Sequence, residues 1–257
     1  MLRRFQFFVL PIFGIAAGCG QEARQEGRPA APASPAIASA RASAEPSSAA
    51  RPGATSLEIR YLALGDSFTI GTGATPEESF PARLSARFRE RKRQVTLKNL
   101  AVNGYSTSDV LALEIPNTRA FGPSLVTVAA GANDIVRGSS PERYRENVRR
   151  IFERLLEAGV PASSIYAIPQ PDWSLSAAAS EFGTPVTEIA RLIELFNSIL
   201  RDEAARAGAH YIDLWPRMKE QARAGMFAPD GLHPSAKAYD EWAALLADRI
   251  NLPASAH

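Results

Sequence analysis

Cysteine is nearly absent: Cys19 stands alone in 257 residues. A single cysteine excludes an intramolecular disulfide and a structural zinc site built from several thiolates. Histidine is almost as scarce, at His210, His233 and His257 only. His257 ends the chain, where order is seldom kept, so imidazole chemistry falls to His210 or His233. No paired-histidine spacing exists, and neither a metal nor a cofactor is called for. Charge of one sign is not in excess. The 29 Lys and Arg against 27 Asp and Glu leave +2, with no broad basic stripe for nucleic acid. The apolar stretch Phe5 to Ala17 is too short to cross a bilayer, which takes roughly 20 apolar residues.

That stretch does have a use. Arg3 and Arg4 precede it, as in a secretory signal. Its end, Ala16-Ala17-Gly18-Cys19, resembles a bacterial lipobox, with Ala16 in place of the usual Leu. The resemblance implies that residues 1–19 are a lipoprotein-type signal peptide and that Cys19 is lipidated and becomes the new N-terminus. It also implies an exported protein of the cell envelope with a membrane as partner. An ordinary signal peptide cut nearby is the other reading. Two or more acyl chains anchor stably where one is marginal. Residues 20–56, rich in Ala, Pro, Ser and Arg and without an aromatic, cannot build a core and are expected to be a disordered linker. Such a tether typically spans about 35 Å. Residues 253–257 are expected to be a flexible tail.

From residue 57 to 252 the pattern alternates. "LEIRYLALG" (57–65), "VTLKNLAV" (95–102), "LVTVAAG" (125–131), "SIYAIPQ" (164–170) and "HYIDLW" (210–215) are strand-like. Between them, residues 141–158 repeat Tyr144, Val148, Ile151, Phe152 and Leu155 on one helical face. Pro141 suits the first helical position and Gly159 the C-terminal cap. Helices are also expected near 77–93, 106–115, 185–207 and 235–250. Alternation of this kind predicts a mostly parallel sheet covered on both faces, with ligands outside the C-terminal strand ends.

Four motifs fall at those ends: "GDS" with Ser67, "NGYS" with Gly104, "GAND" with Asn133, and "DGLHP" with Asp230 and His233. A serine hydroxyl is a weak nucleophile until a base takes its proton. His233 could be that base. Asp230, three residues earlier, could fix its tautomer and stabilise the imidazolium. Attack on an ester builds an oxyanion that needs preorganised donors. The backbone N–H groups of Ser67 and Gly104 and the side chain of Asn133 could supply them.

These motifs, in this order, resemble those of the SGNH, or GDSL-type, hydrolases over about residues 60–250. The resemblance implies a flavodoxin-like three-layer α/β/α sandwich with a five-stranded parallel sheet. It implies Ser67 as nucleophile, His233 as base, Asp230 as its orienting acid, and Ser67, Gly104 and Asn133 as the oxyanion hole. The Gly-x-Ser-x-Gly elbow of the α/β-hydrolases is absent, since Thr69 stands where its second glycine would be.

The remaining residues read more plainly. Asp66 and Asp134 are expected to order their turns through backbone amides, and His210 to be structural. The long route 167–185, "AIPQPDWSLSAAASEFGTP", resembles the "IPDW…TP" segment of a bacterial subgroup of these hydrolases, with Gln170 and Pro171 as departures. There Trp173 and Phe182 either line an acyl or leaving-group pocket or pack the loop onto the body. The expected activity is hydrolysis of short-chain, acetyl-like carboxylic esters through an acyl-enzyme. The partner is a small ester, an acylated carbohydrate or lipid. Lysophospholipase or thioesterase action is the enzymatic alternative. A non-catalytic module binding glycan or acyl ligands is the alternative of another class.

Overall fold

The computed structural model describes residues 58–252. The expected signal peptide with Cys19, the whole expected linker 20–56 and the expected tail with His257 lie outside the described residues.

The chain runs β1 (Ile59–Gly65), α1 (Ser67–Ile70), α2 (Phe80–Glu90), β2 (Val95–Asn99), α3 (Thr107–Asp109), α4 (Thr118–Phe121), β3 (Leu125–Ala129), α5 (Ala132–Val136), α6 (Pro141–Glu157), β4 (Ile165–Ala167), α7 (Val186–Arg206), β5 (His210–Tyr211), α8 (Trp215–Arg223) and α9 (Ala236–Arg249). All strand pairs are parallel, in the order β2-β1-β3-β4-β5. After β1 the chain lays β2 on one side and then crosses to lay β3 on the other. The connections after β1 and β3 therefore diverge, and that divergence opens the crevice where ligands bind in such sheets.

Alternate side chains of β1 serve two cores. Leu62 and Leu64 join Val126, Val128, Tyr144, Ile151, Phe152 and Phe196 beneath α6 and α7. Ile59, Tyr61 and Ala63 join Phe80, Leu84, Phe88, Trp242 and Leu246 beneath α2 and α9. Both faces are thus covered, which gives the three-layer sandwich. The α6 boundaries follow the sequence. Ser140 caps it by accepting the Arg143 N–H at 3.2 Å, Pro141 opens it, and Gly159 follows its end with φ +92°.

The strands stop earlier than their apolar runs. At β2, the Asn99 side chain accepts the Ala101 N–H at 3.1 Å and turns the chain off the ladder. At β5, Asp213 accepts the Trp215 N–H at 3.0 Å and opens α8, so Ile212 and Leu214 are core residues outside a strand. The helix expected near 106–115 runs on to Phe121 in pieces: α3, a π-helical turn Val110–Glu114, a 3-10 turn Ile115–Asn117, and α4. The short α5 and the helix α8 lie in stretches where the sequence pattern predicts none.

Candidate active site

Ser67 sits two residues beyond β1, as the first residue of α1. The turn that carries it is fixed from several directions. Gly65 has φ +154°, and a Cβ there would stand 2.1 Å from the Ala129 carbonyl oxygen, so only glycine fits between β1 and β3. Asp66 caps α1 by accepting the Phe68 N–H at 3.0 Å. The Thr69 hydroxyl donates to the Ala129 carbonyl at 3.3 Å, and the Asn99 side chain donates to the Thr69 carbonyl at 3.0 Å. The Gly65 N–H donates to Oε2 of Glu114 at 2.9 Å. Ser67 itself is 9% exposed.

His233 arrives on the loop before α9. Asp230 Oδ2 lies 2.7 Å from His233 Nδ1, while Oδ1 accepts the Leu232 and His233 N–H groups at 2.9 and 3.0 Å. Burial pushes the Asp230 carboxyl up, but those amides and the imidazole outweigh it and hold the group below the usual carboxylate range. The loop is closed by the Ala228 N–H donating to the His233 carbonyl at 2.7 Å and the Ser235 N–H donating to Met226 at 3.0 Å. The imidazole packs against Phe68, the residue after Ser67, with ring centroids 5.4 Å apart. Gly73 makes this approach possible: a Cβ there would stand 2.6 Å from Ala228 Cβ and 3.1 Å from His233 Cβ. Tyr239 on α9 ties the same loops by donating to the Thr72 carbonyl at 3.0 Å. Among the described residues no hydrogen bond joins the Ser67 hydroxyl to His233.

Gly104 comes in on the loop after β2, and Asn133 in the first turn of α5, after β3. The Thr72 hydroxyl bonds the Asn103 side chain, linking the Ser67 and Gly104 loops. Asn133 donates one side-chain N–H to the Tyr105 carbonyl at 3.0 Å, which leaves its second N–H available. The N–H groups of Ser67 and Gly104 make no hydrogen bond among the described residues. Gly104 has φ +83°, and a Cβ there would meet nothing within 4 Å. Its glycine is therefore required by backbone conformation and an open approach, with no neighbour crowding it. Asp134 locks the two loops by accepting the Thr107 N–H at 2.8 Å and its hydroxyl at 2.6 Å. Arg137 adds contacts to the Gly104 carbonyl at 2.8 Å and to Asp109 at 2.7 Å.

Acidic groups are buried beneath the site. Burial pushes Asp66 up to about 7 against the pull of the Phe68 N–H, with the charge of Asp134 adding to the rise. Asp134 is raised for the same first reason, despite its Thr107 bonds. Asp66 and Asp134 hold backbone amides, as their turns in the sequence suggest.

The rim segment after β4 is packed inward. Trp173 is 2% exposed, meets Phe182 edge to face at 5.5 Å, and donates its indole N–H to Gln170 at 3.2 Å. Phe182 is half-buried, and the two rings pack on one another within the segment. Asn197 pins the same segment, accepting the Gln170 N–H at 2.9 Å and donating to its carbonyl at 3.0 Å. His210 stacks on Tyr166 at 4.8 Å, a structural contact. Glu114 is the site residue that sequence reasoning misses. Its only trace is its place four residues after the core residue Val110.

Residues 63–241 match the GDSL-like Lipase/Acylhydrolase family. An arylesterase of Vibrio mimicus is 30% identical over 100 residues, which is 39% of this chain and 50% of that relative. The match thus spans about half the length of the curated relative. Among solved structures, a lipase/acylhydrolase from Enterococcus faecalis is similar with a TM-score of 0.61 at 21% identity, covering 75% of this chain and 95% of that one. An acetylxylan esterase from Geobacillus stearothermophilus, solved as a catalytic mutant, has a TM-score of 0.60 at 17% identity, covering 76% and 95%. Both structural likenesses speak to the fold. The motifs, the sheet order and the family match over most of the chain agree, and the chain belongs to the GDSL-like, or SGNH, lipase/acylhydrolase family of carboxylic ester hydrolases.

Proposed function

We propose that the chain is an exported serine esterase that removes acetyl or similarly short acyl groups through an acyl-enzyme. One observation carries this reading: a carboxylate-oriented imidazole packs against Phe68, the residue after Ser67, while the N–H groups of Ser67 and Gly104 and the second side-chain N–H of Asn133 stay unengaged among the described residues. His233 Nε2 takes the Ser67 Oγ proton as Oγ bonds the ester carbon, and the carbonyl electron pair moves onto oxygen. The three donors receive that oxyanion. Collapse breaks the bond to the alkoxy group, which leaves with the proton from His233. Water, deprotonated by the same imidazole, then releases the acid and frees Ser67. Asp230 keeps Nε2 facing the reaction and stabilises the imidazolium between the two transfers.

Acetylated carbohydrate is a fitting substrate for an enzyme held at the cell envelope through lipidated Cys19. The likeness in fold to an acetylxylan esterase is in keeping with it.

The test compares wild type and Ser67→Ala on p-nitrophenyl acetate, with fluorophosphonate labelling alongside. Turnover and a Ser67 adduct are expected in wild type only. Equal turnover by both proteins, or no adduct, overturns the reading and favours a binding module.

A further inference from the structure

Beneath the Ser67 turn lies a carboxyl group that the ester chemistry leaves idle. Glu114 closes the π-helical turn Val110–Glu114 and is 1% exposed. A π turn widens the helix by one residue and re-aims the side chains that follow; such turns recur at functional sites. Glu114 reaches the last residue of β1, where its Oε2 accepts the Gly65 N–H at 2.9 Å.

That N–H needs an outside acceptor for a reason of register. The pairing of β1 with β2 ends at Ala63 and Asn99, and the Leu100 N–H makes the last bond to the Ala63 carbonyl. Gly65 points its N–H to the same side as Ala63, two residues further on, where no β2 strand remains. Without Glu114 it would be a buried orphan donor.

The other oxygens of the cluster are also informative. Glu114 Oε1 and Asp66 Oδ2 are buried and have no hydrogen-bond partner. A carboxylate buried in this way costs far more than the protonated acid. The charged groups facing Glu114 are Asp66 and Asp109. Around them stand Asp134 on α5, Tyr144 on α6 and Tyr239 on α9, while Arg137 is already paired with Asp109. Burial foremost, and the charge of Asp66, push Glu114 up to about 9 against the pull of the Gly65 N–H.

We propose that Glu114 is a positioning residue that works as the neutral carboxylic acid, completing the unfinished edge of β1 and adding no second charge to that of Asp66 beneath the Ser67 turn. The inference rests on Ser67 being the nucleophile. A carboxylate beneath the oxyanion hole would oppose the charge that develops there, so ionisation of Glu114 lowers kcat.

The test measures kcat, KM and Tm for wild type, Glu114→Gln and Glu114→Leu from about pH 6 to pH 10. Glutamine keeps the acceptor and cannot ionise. Its kcat stays within about 3-fold of wild type at neutral pH, and the alkaline fall of the wild type disappears. Leucine removes the acceptor and lowers kcat about 30-fold or more with KM nearly unchanged. If Glu114→Gln loses as much kcat as Glu114→Leu, or keeps the wild-type alkaline fall, the inference is overturned. Tm reads the same group without catalysis. The wild type should lose Tm relative to Glu114→Gln as pH rises, and parallel curves overturn the neutral acid even if Glu114→Leu fails to fold. A wild type that neither turns over ester nor is labelled removes the nucleophile, and the positioning role falls with it.

Discussion

Asp230 grips His233 at two points at once: one carboxylate oxygen lies 2.7 Å from the ring nitrogen Nδ1, and the other accepts the residue's own N–H at 3.0 Å. The first contact sets the tautomer and the second sets where the ring starts. They can be separated by substitution. In Asp230→Asn the amide can still accept the backbone N–H, but its NH2 faces Nδ1 and favours the tautomer with the proton on Nε2. That ring cannot take the serine proton. We expect kcat to fall about 10²- to 10⁴-fold with little change in KM. Steady-state kinetics on p-nitrophenyl acetate check it, with a thermal melt to show that the loop is intact.

Two glycines of the site should fail in different ways. A methyl group at Gly65 meets the Ala129 backbone carbonyl oxygen at 2.1 Å, between the ends of β1 and β3. Gly65→Ala should destabilise by more than about 3 kcal/mol. At Gly104 a methyl group meets nothing, and only the positive φ is strained. Gly104→Ala should cost about 1–2 kcal/mol of stability, yet it projects a methyl group where the substrate carbonyl must approach. Denaturant titration paired with kcat separates the two: stability is lost first at 65, activity first at 104.

Asn133 offers one N–H to Tyr105 and keeps the other free. Asn133→Ala removes both. The loss in kcat should be about 10²- to 10³-fold, the usual effect of deleting one oxyanion donor. KM should hardly move, since the donor acts on charge absent from the ground state. A matched loss in substrate affinity would place Asn133 in ground-state binding.

Away from the site, Glu203 is buried on α7 and bonded to Arg145 at 2.9 Å and Arg149 at 3.0 Å, both on α6. Burial pushes its carboxyl up, but the two guanidinium groups outweigh that and hold it below its ordinary value. A depressed carboxylate stabilises the fold above its unfolded pKa and loses that contribution as pH falls through the folded value. Glu203→Gln should therefore cost about 1–2 kcal/mol at neutral pH, discounted because both arginines are partly in solvent. The gap to wild type should close below about pH 4. Urea unfolding of both proteins across that range is the measurement.

The sequence shows the candidate reacting groups more clearly than their supports. Ser67, Gly104, Asn133, Asp230 and His233 each sit in a short motif beside a strand or before a helix, and period-2 and period-3.6 patterns locate those elements. Trp173 is legible only as an aromatic in a long rim segment; what decides its place is packing against Phe182 and the Gln170 hydrogen bond, both tertiary. Glu114 hides for a different reason. A glutamate between Leu113 and Ile115 reads as the polar face of an ordinary helix, and the π turn that rotates it inward leaves no local signature. The short β5 and the unforeseen α8 follow from Asp213, whose side chain competes for a backbone amide that an apolar run would otherwise give to the ladder.

Tyr239 and Gly73 join the two ends of the folded body. The helix that follows His233 must dock beside the loop that follows Ser67 before a base stands near the hydroxyl. A nascent chain with the first four strands already in place would still be chemically silent. If Ser67 and His233 are the reacting pair, turnover requires α9 to be seated, and activity per molecule reports the fraction of chains in which that contact has formed.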